Sequence, residues 1–253
     1  AGWWNWKPSK QALEQLFMEG ELMISGRRGF QKTYDLTERI LPSGTDTRTP
    51  DSREMAAYLL STALRAHGFA VPKNVTYLRR GSALRAALKD LLIEEVADNR
   101  LTPFRLPCGT LAYAHPDVLE SRAPAAASRA LLLSPFDNLV IHRDRVQSVF
   151  GFDYQIECYT KEEDRRYGYF CLPIVHRDRL VGRADCKAHR RAGRFELKHL
   201  HFEDGGGAPD EAMLRAVVEA MRRFADFNDC AELTISRVSP GAWRQPVARA
   251  LTG

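Results

Sequence analysis

The sequence predicts an α+β protein in which two helix-then-hairpin units precede a β-barrel-like antiparallel domain with a packed C-terminal helix. Three observations carry that class. Apolar residues spaced i, i+3, i+4 give way to period-two alternation twice before residue 122. Short alternating stretches joined by close turns then follow from Leu131. A long amphipathic stretch comes near the end, at Pro209 to Phe227.

Pro8 can open the first helix, where its missing N–H costs nothing. Leu13, Leu16 and Phe17 form one stripe, and Gly20 stops the helix. Leu22 and Ile24 then alternate with Met23 and Ser25. Beyond a turn read as Gly26-Arg27-Arg28-Gly29, the residues Phe30, Tyr34 and Leu36 keep the period. A helix leading into a hairpin with a basic, glycine-flanked tip is the back half of a winged helix, an arrangement that mostly binds nucleic acid. Ala1 to Trp6 cannot supply the front half, so the chain is expected to be part of something longer. Pro42 to Pro50 is a linker by its Pro, Gly and Thr content.

The second unit starts at Ser52 as N-cap, with Met55, Leu59, Thr62 and Ala63 as its stripe and Gly68 as its stop. Asn74 to Arg80 holds a turn of helix. Gly81-Ser82 caps a third helix, Ala83 to Glu94, with Leu84, Leu88, Leu91 and Leu92 inward. Short strands follow through Phe104 and Leu111 to Ala114, completing the winged-helix order. The order defines a class and not a function. Ala123 to Ser128 is a second linker, so the expected domains are residues 1–50, 51–122 and 123–253. In the third, Leu131 to Leu133 reads as a short buried strand. A meander follows through Phe152–Thr160, Tyr167–Val175, Leu180–Lys187 and Arg194–Phe202, with turns at His176–Arg179 and Ala192-Gly193. The long helix packs across this sheet, and a strand (Leu233 to Val238) and a short helix (Trp243 to Leu251) close the chain.

Lys and Arg number 37 against 32 Asp and Glu, a net +5 that tilts mildly toward polyanions and fits an ordinary solvated surface almost as well. The arginines cluster as pairs: Arg27-Arg28, Arg79-Arg80, Arg165-Arg166, Arg190-Arg191 and Arg222-Arg223. Planar guanidinium groups at turns suit phosphate. The five cysteines are odd in number and form no C-x-x-C pair. No apolar run approaches the roughly 20 residues of a membrane span. A reduced, cytoplasmic, nucleoid-associated protein is the expectation, with duplex DNA as partner, no membrane, and the chain a monomer.

Several segments together resemble a known family, the winged-helix DNA glycosylases of the YcaQ and AlkZ type, which repair alkylated and interstrand-crosslinked DNA. They are Gly2 to Lys10, Leu22 to Ser25, Tyr34 to Arg39, Leu133 to Asp137, Phe150 to Tyr154, Arg166 to Tyr169 and Leu180 to Arg183. The resemblance implies tandem winged helices and a barrel-like domain wrapped around duplex DNA, no metal or cofactor, and bulky lesions handled without a deep flipping pocket. It also implies a catalytic Gln-aliphatic-Asp or Gln-aliphatic-Gln tripeptide in the first winged helix. Such a group would orient water and stabilise the oxocarbenium-like sugar as an alkylated purine departs. Among Gln11, Gln15, Gln31, Gln147, Gln155 and Gln245, only Gln155-Ile156-Glu157 is chemically similar. It falls on a predicted barrel strand, where a satisfied strand pair explains it better. No catalytic residue is therefore assigned, and the chain alone is expected to be inactive.

DNA-contacting candidates are Arg27, Arg28 and Lys32 on the first hairpin, Arg79 and Arg80, and a second tip of His176, Arg177 and Arg179. Arg177-Asp178-Arg179 can equally neutralise itself. Asp137, Arg143, Asp153 and Tyr154 are candidates to line a cleft, although an Asp after Phe at a strand end is also an ordinary turn residue. Cys186, His189, His199 and His201 are the residues a metal site could draw on. His199 and His201 share a strand face, but no second cysteine accompanies them and the flanks are basic, so no metal is assigned. Trp3, Trp4 and Trp6 are suited to stacking on bases, with burial against the hairpin the better use of three indoles. The alternatives to a repair enzyme are a non-enzymatic winged-helix regulator and, less well supported, a protein-interaction module.

Overall fold

The computed structural model describes residues 6–203 and 210–252, so Trp3, Trp4 and Pro209 lie outside the described residues. The chain divides into two compact units, Ala1–Pro50 and Asp51–Gly253.

In the first unit, α1 (Pro8–Glu19) ends at Gly20 in the left-handed region. The strands β1 (Leu22–Arg28) and β2 (Gln31–Leu36) follow, then a short α2 (Thr37–Ile40). β1 and β2 pair antiparallel from Leu22↔Leu36 to Arg28↔Gln31, so the turn is Gly29-Phe30, not the Gly26–Gly29 segment expected. Gly26 instead follows a bulge at Ser25, where a Cβ would stand 3.2 Å from the Thr33 hydroxyl. The predicted stripe exists but is thinly covered: Leu13 and Leu16 remain 41% and 39% exposed, and no described residue of this unit is buried. Trp6 is exposed too, with the Lys10 ammonium 4.1 Å from the centre of its ring.

The second unit begins with α3 (Ser52–His67), α4 (Pro72–Val75) and α5 (Ser82–Ala97), followed by the antiparallel pair β3 (Thr102–Arg105) and β4 (Leu111–Ala114). A single bridge between Ala70 and Tyr113 adds a third backbone segment beside β4. The cap of α3 is Asp51 and not Ser52. Its carboxylate accepts from the Arg53 and Glu54 N–H groups, and Glu54 accepts from the Asp51 N–H in return. The buried face of α3 is Ala56, Leu59, Leu60 and Leu64, one step round from the expected stripe, packed against Leu88, Leu91 and Leu92 of α5.

After a short α6 (Pro116–Glu120), the rest of this unit is organised by a sheet of β5 (Ala130–Leu132), β6 (Cys171–His176), β7 (Arg179–His189), β8 (Arg194–Phe202), β9 (Glu232–Ile235) and β10 (Val238–Ser239). β5 to β8 run antiparallel in chain order, whereas β9 and β10 both pair with β8 in parallel. The sheet is therefore a curled, open half-barrel of mixed direction, not a wholly antiparallel barrel. β5 lies at its edge, with Ala130 buried but Leu131 exposed, which corrects the expected buried strand. α8 (Glu211–Phe227), capped by the Asp210 carboxylate, lays Leu214, Val217, Ala220 and Met221 over the core that holds Phe195, Leu197, Leu200 and Phe202. α9 (Arg244–Thr252) closes that core through Val247.

Two segments differ from expectation. Arg143–Phe150 forms a helix, α7, that the alternation gave no sign of. Phe152–Thr160 is not a strand; Phe152 and Tyr154 leave the ladder to fill a small core with Val140, Val146 and Leu180. Alternation marks burial on one side of an extended chain, and an irregular segment with anchored aromatics satisfies it as well as a strand does.

Candidate functional site

On the first hairpin, Arg27 and Arg28 are exposed at the end of β1, and Phe30 stands wholly exposed on the turn itself. Lys32 is drawn the other way. Its ammonium pairs with Glu14 on α1 at 3.3 Å and sits 4.9 Å from the Phe17 ring centre, while the Tyr34 hydroxyl donates to the same carboxylate. Two arginines and a phenylalanine thus form the tip. Period-two reading puts Phe30 on the second strand with Tyr34 and Leu36; only the strand register shows that it is a turn residue.

Arg79 and Arg80 are exposed on the loop before α5, where Leu78 adopts a left-handed φ of 59°. Beside them an open groove of about 600 Å³ runs between α4 and α5, with Leu88 and Leu92 in its floor and Arg85 and Lys89 on its rim.

The second tip is smaller than expected. β6 and β7 meet at His176↔Arg179, leaving Arg177-Asp178 as the turn, with Arg177 at a φ of 56°. Arg177 and Arg179 are exposed, but His176 is buried, its Nε2 3.1 Å from the Ser128 carbonyl. His176 is thus a tethering residue in the sheet and not part of a charged tip.

Of the cleft candidates, Asp137 closes its own turn, accepting the Leu139 N–H at 2.8 Å. Arg143 donates to the Val140 and Pro135 carbonyls and lies 4.5 Å from the Tyr154 ring centre. Tyr154 is buried and donates to the Cys171 carbonyl at 2.6 Å; burial pushes its phenol up to about 12. Asp153 is exposed and contributes its carbonyl to Arg183.

That last bond leads to the polar centre of the unit, which sequence reasoning missed. Arg183 is 2% exposed, yet its charge is paired. Its Nε and Nη2 donate to Glu203 at 2.8 and 2.7 Å, and Nη2 also donates to the Asp153 carbonyl at 2.9 Å. The Tyr167 and Phe152 ring centres lie 4.0 and 4.3 Å from the guanidinium carbon. Two carboxylates pin the chain beside it. Glu157 accepts the N–H groups of Arg166, Tyr167 and Gly168, and Asp185 accepts those of Tyr169 and Phe170. Burial alone would raise the Glu157 carboxyl, but its three backbone bonds outweigh burial and hold it below the usual value. Glu157 is hence a structural acceptor, on a loop and not on the predicted strand. A Cβ on Gly168, at a φ of +149°, would meet the Asp185 carboxylate at 2.3 Å, and one on Gly182 would meet the His201 carbonyl at 2.3 Å. The segments Arg166–Tyr169 and Leu180–Arg183 both contribute to this centre.

His199 and His201 do share a face of β8, but they are joined by a hydroxyl. Ser239 Oγ lies 2.6 Å from His199 Nε2 and 2.7 Å from His201 Nδ1, while His199 Nδ1 lies 2.9 Å from the Tyr167 carbonyl. His189 pairs with Glu196 at 2.9 Å, and Cys186 is largely buried, which pushes its thiol well up. His201, Glu203, Tyr167, Arg166 and Arg179 border a cavity of about 450 Å³.

A helical first part, a curled half-barrel sheet and buried charge networks at its centre place this chain among mixed α+β proteins. The chain belongs to the AlkZ-like DNA glycosylase family, whose model, described as DNA glycosylase AlkZ-like, matches residues 1–227. Among solved structures it is similar to the Streptomyces sahachiroi DNA glycosylase AlkZ, with 16% identity and a TM-score of 0.56 over 91% of this chain and 58% of that one. At that identity the likeness is one of fold. The chain spans a little over half the length of that relative. Among the described residues, no helix is long and apolar enough to cross a membrane.

Proposed function

We propose that this chain is the DNA-holding part of a DNA-repair glycosylase that, as a whole protein, hydrolyses the N-glycosidic bond of alkylated or interstrand-crosslinked purines. The family match over residues 1–227 is the observation that carries this reading. In it, α1 with β1–β2 is the back of one winged helix, and α3, α4, α5, β3 and β4 form a second, complete one. Residues 1–50, 51–122 and 123–253 are then the functional divisions. Arg27 and Arg28 contact phosphate, Arg79, Arg80, Arg177 and Arg179 are further basic residues for DNA contact, and Phe30 inserts beside the backbone or between bases. Lys32 acts by bracing the hairpin on α1 through Glu14.

Base release needs a polar group beside the anomeric carbon. No glutamine of this chain starts a Gln-aliphatic-Asp tripeptide, and Glu157 is committed to three backbone N–H groups. The chain alone is accordingly expected to bind duplex and leave the glycosidic bond intact. Fluorescence anisotropy with a labelled duplex, repeated across salt concentrations, tests the binding. The double substitution Arg27→Ala and Arg28→Ala is expected to flatten the log–log salt slope by roughly 1.8, from about 0.9 per lost phosphate contact. An unchanged slope removes the hairpin from the interface. Incubation with N7-alkylated guanine in duplex should give no free base; robust release would place a catalytic group within these residues.

A further inference from the structure

The groove between α4 and α5 joins two features that folding alone does not explain. Tyr77, Leu78 and Ile93, which line it, stay 51%, 85% and 59% exposed beside a floor of buried Leu88 and Leu92. Single exposed apolar residues are ordinary, whereas a contiguous apolar patch around a depression marks a contact surface. Leu78 is moreover held at a left-handed φ of 59°, unusual for a bulky side chain. The second feature is charge. Arg85, Leu88, Lys89 and Leu92 fall at i, i+3, i+4 and i+7 on α5, so cations and apolar floor share one helix face. Arg79, Arg85 and Lys89 are exposed and have no carboxylate partner among the described residues. The α5 carboxylates Glu94 and Glu95 pair with Arg53 and Arg100, and no Asp or Glu among the described residues lines the groove. Lys73, also on the lining, is held by Asp144 of α7.

A ligand that fits must bring apolar groups for the floor and anionic groups for the rim. A duplex backbone brings phosphate but nothing to cover Leu78 and Ile93. Single-stranded bases stack on aromatic faces, whereas this lining is mainly aliphatic, and the Tyr77 ring is engaged edge-on by His142 with centres 4.8 Å apart. At about 600 Å³ the groove falls in the range of ligand clefts, roughly 300–1,000 Å³, and has room for a few side chains. Leucine, isoleucine or phenylalanine flanked by aspartate or glutamate meets both demands at once. We infer that this groove is a docking site for an acidic peptide segment of a partner protein. Its apolar side chains seat on Leu88 and Leu92 between Tyr77, Leu78 and Ile93, and its carboxylates meet Arg85 and Lys89. This goes beyond the DNA-holding reading and does not rest on it.

Fluorescence anisotropy of the whole chain with a labelled synthetic peptide tests it. The probe carries leucine and phenylalanine anchors flanked by aspartates; one control replaces the aspartates with lysine, and another replaces the anchors with serine. The acidic, anchored peptide is expected to bind at least tenfold more tightly than either control, and to weaken as salt is raised because exposed charges are screened. Ile93→Ser should weaken it several-fold, at a position that folding leaves largely open. Arg85→Glu combined with Lys89→Glu should weaken it at least tenfold and, in the same protein, turn the preference to the lysine peptide. That gain separates a reversed rim from a misfolded variant. Arg27→Ala with Arg28→Ala, in the other compact unit, should leave peptide binding unchanged, so loss of duplex binding and loss of peptide binding are read independently. Equal binding of the three peptides, no binding at millimolar peptide, or no exchange of preference in the reversed variant overturns the inference. So does an oligonucleotide that displaces the peptide and itself loses affinity on Ile93→Ser, which assigns the groove to nucleic acid.

Discussion

Arg183 concentrates the residue-scale physics of the second unit. A guanidinium at 2% exposure is costly unless its charge and donors find partners, and Glu203, the Asp153 carbonyl and two aromatic faces supply them for Nε, Nη2 and the charge. Truncation strands the Glu203 charge and leaves a void, so Arg183→Ala is expected to cost about 3–5 kcal/mol in urea unfolding. A loss below about 1 kcal/mol would show that the network is ornamental. His67 supplies a pH signature. Burial first, then Arg145 and His142, hold it down to about 4 from 6.5. A depressed histidine takes up its proton more readily when unfolded, so its stabilising contribution is whole above about pH 6.5 and is lost as pH falls toward 4. His67→Gln should flatten thermal stability across that window; an unchanged slope would mean that the ring titrates normally. In the sequence Arg183 was visible only as part of the Leu180–Arg183 motif, because its partners stand 20 and 30 residues away.

At the scale of elements, local chemistry was legible where it acts within a few residues. Pro8 and Gly20 bound α1, and β8 runs from Arg194 to Phe202 as its alternation predicts. The start of α3 was misplaced by one residue because two good capping residues, Asp51 and Ser52, are adjacent, and only the reciprocal bond to Glu54 decides between them. Asp51→Ala should therefore cost about 1 kcal/mol, and Ser52→Ala far less, in the same denaturation experiment. Contacts between strands were not legible. Gly182 stands where β7 and β8 approach so closely that a Cβ would lie 2.3 Å from the His201 carbonyl. Gly182→Ala is expected to destabilise by roughly 1–3 kcal/mol, and a neutral result would show that the strands can part freely. The parallel pairing of β9 and β10 with β8 was hidden for the same reason: α8 carries the chain back across the sheet before they form.

At the scale of the whole molecule, the two units differ in how they are held together. The second has a contiguous apolar core under α8, whereas the first has no buried residue among those described and leans on its hairpin, α1 and the Lys32–Glu14 pair. Phe30→Ala is thus expected to leave thermal stability within about 0.5 kcal/mol, since its ring touches nothing that folding covers. The same substitution should weaken duplex binding if the ring inserts into DNA, and unchanged affinity by anisotropy would exclude insertion. The sequence by itself determined the mixed α+β class, the order of helices and strands apart from α7 and the Phe152–Thr160 segment, the basic hairpin and the family motifs, because periodicity, caps and short motifs act locally along the chain. Only the tertiary structure decided that Phe30 projects outward, that His176 is buried, that Gln155-Ile156-Glu157 lies on a loop, and that His201 and Glu203 share a cavity. Those facts depend on register and on side chains meeting across tens of residues, where backbone pairing and burial, not local preference, set the free energy.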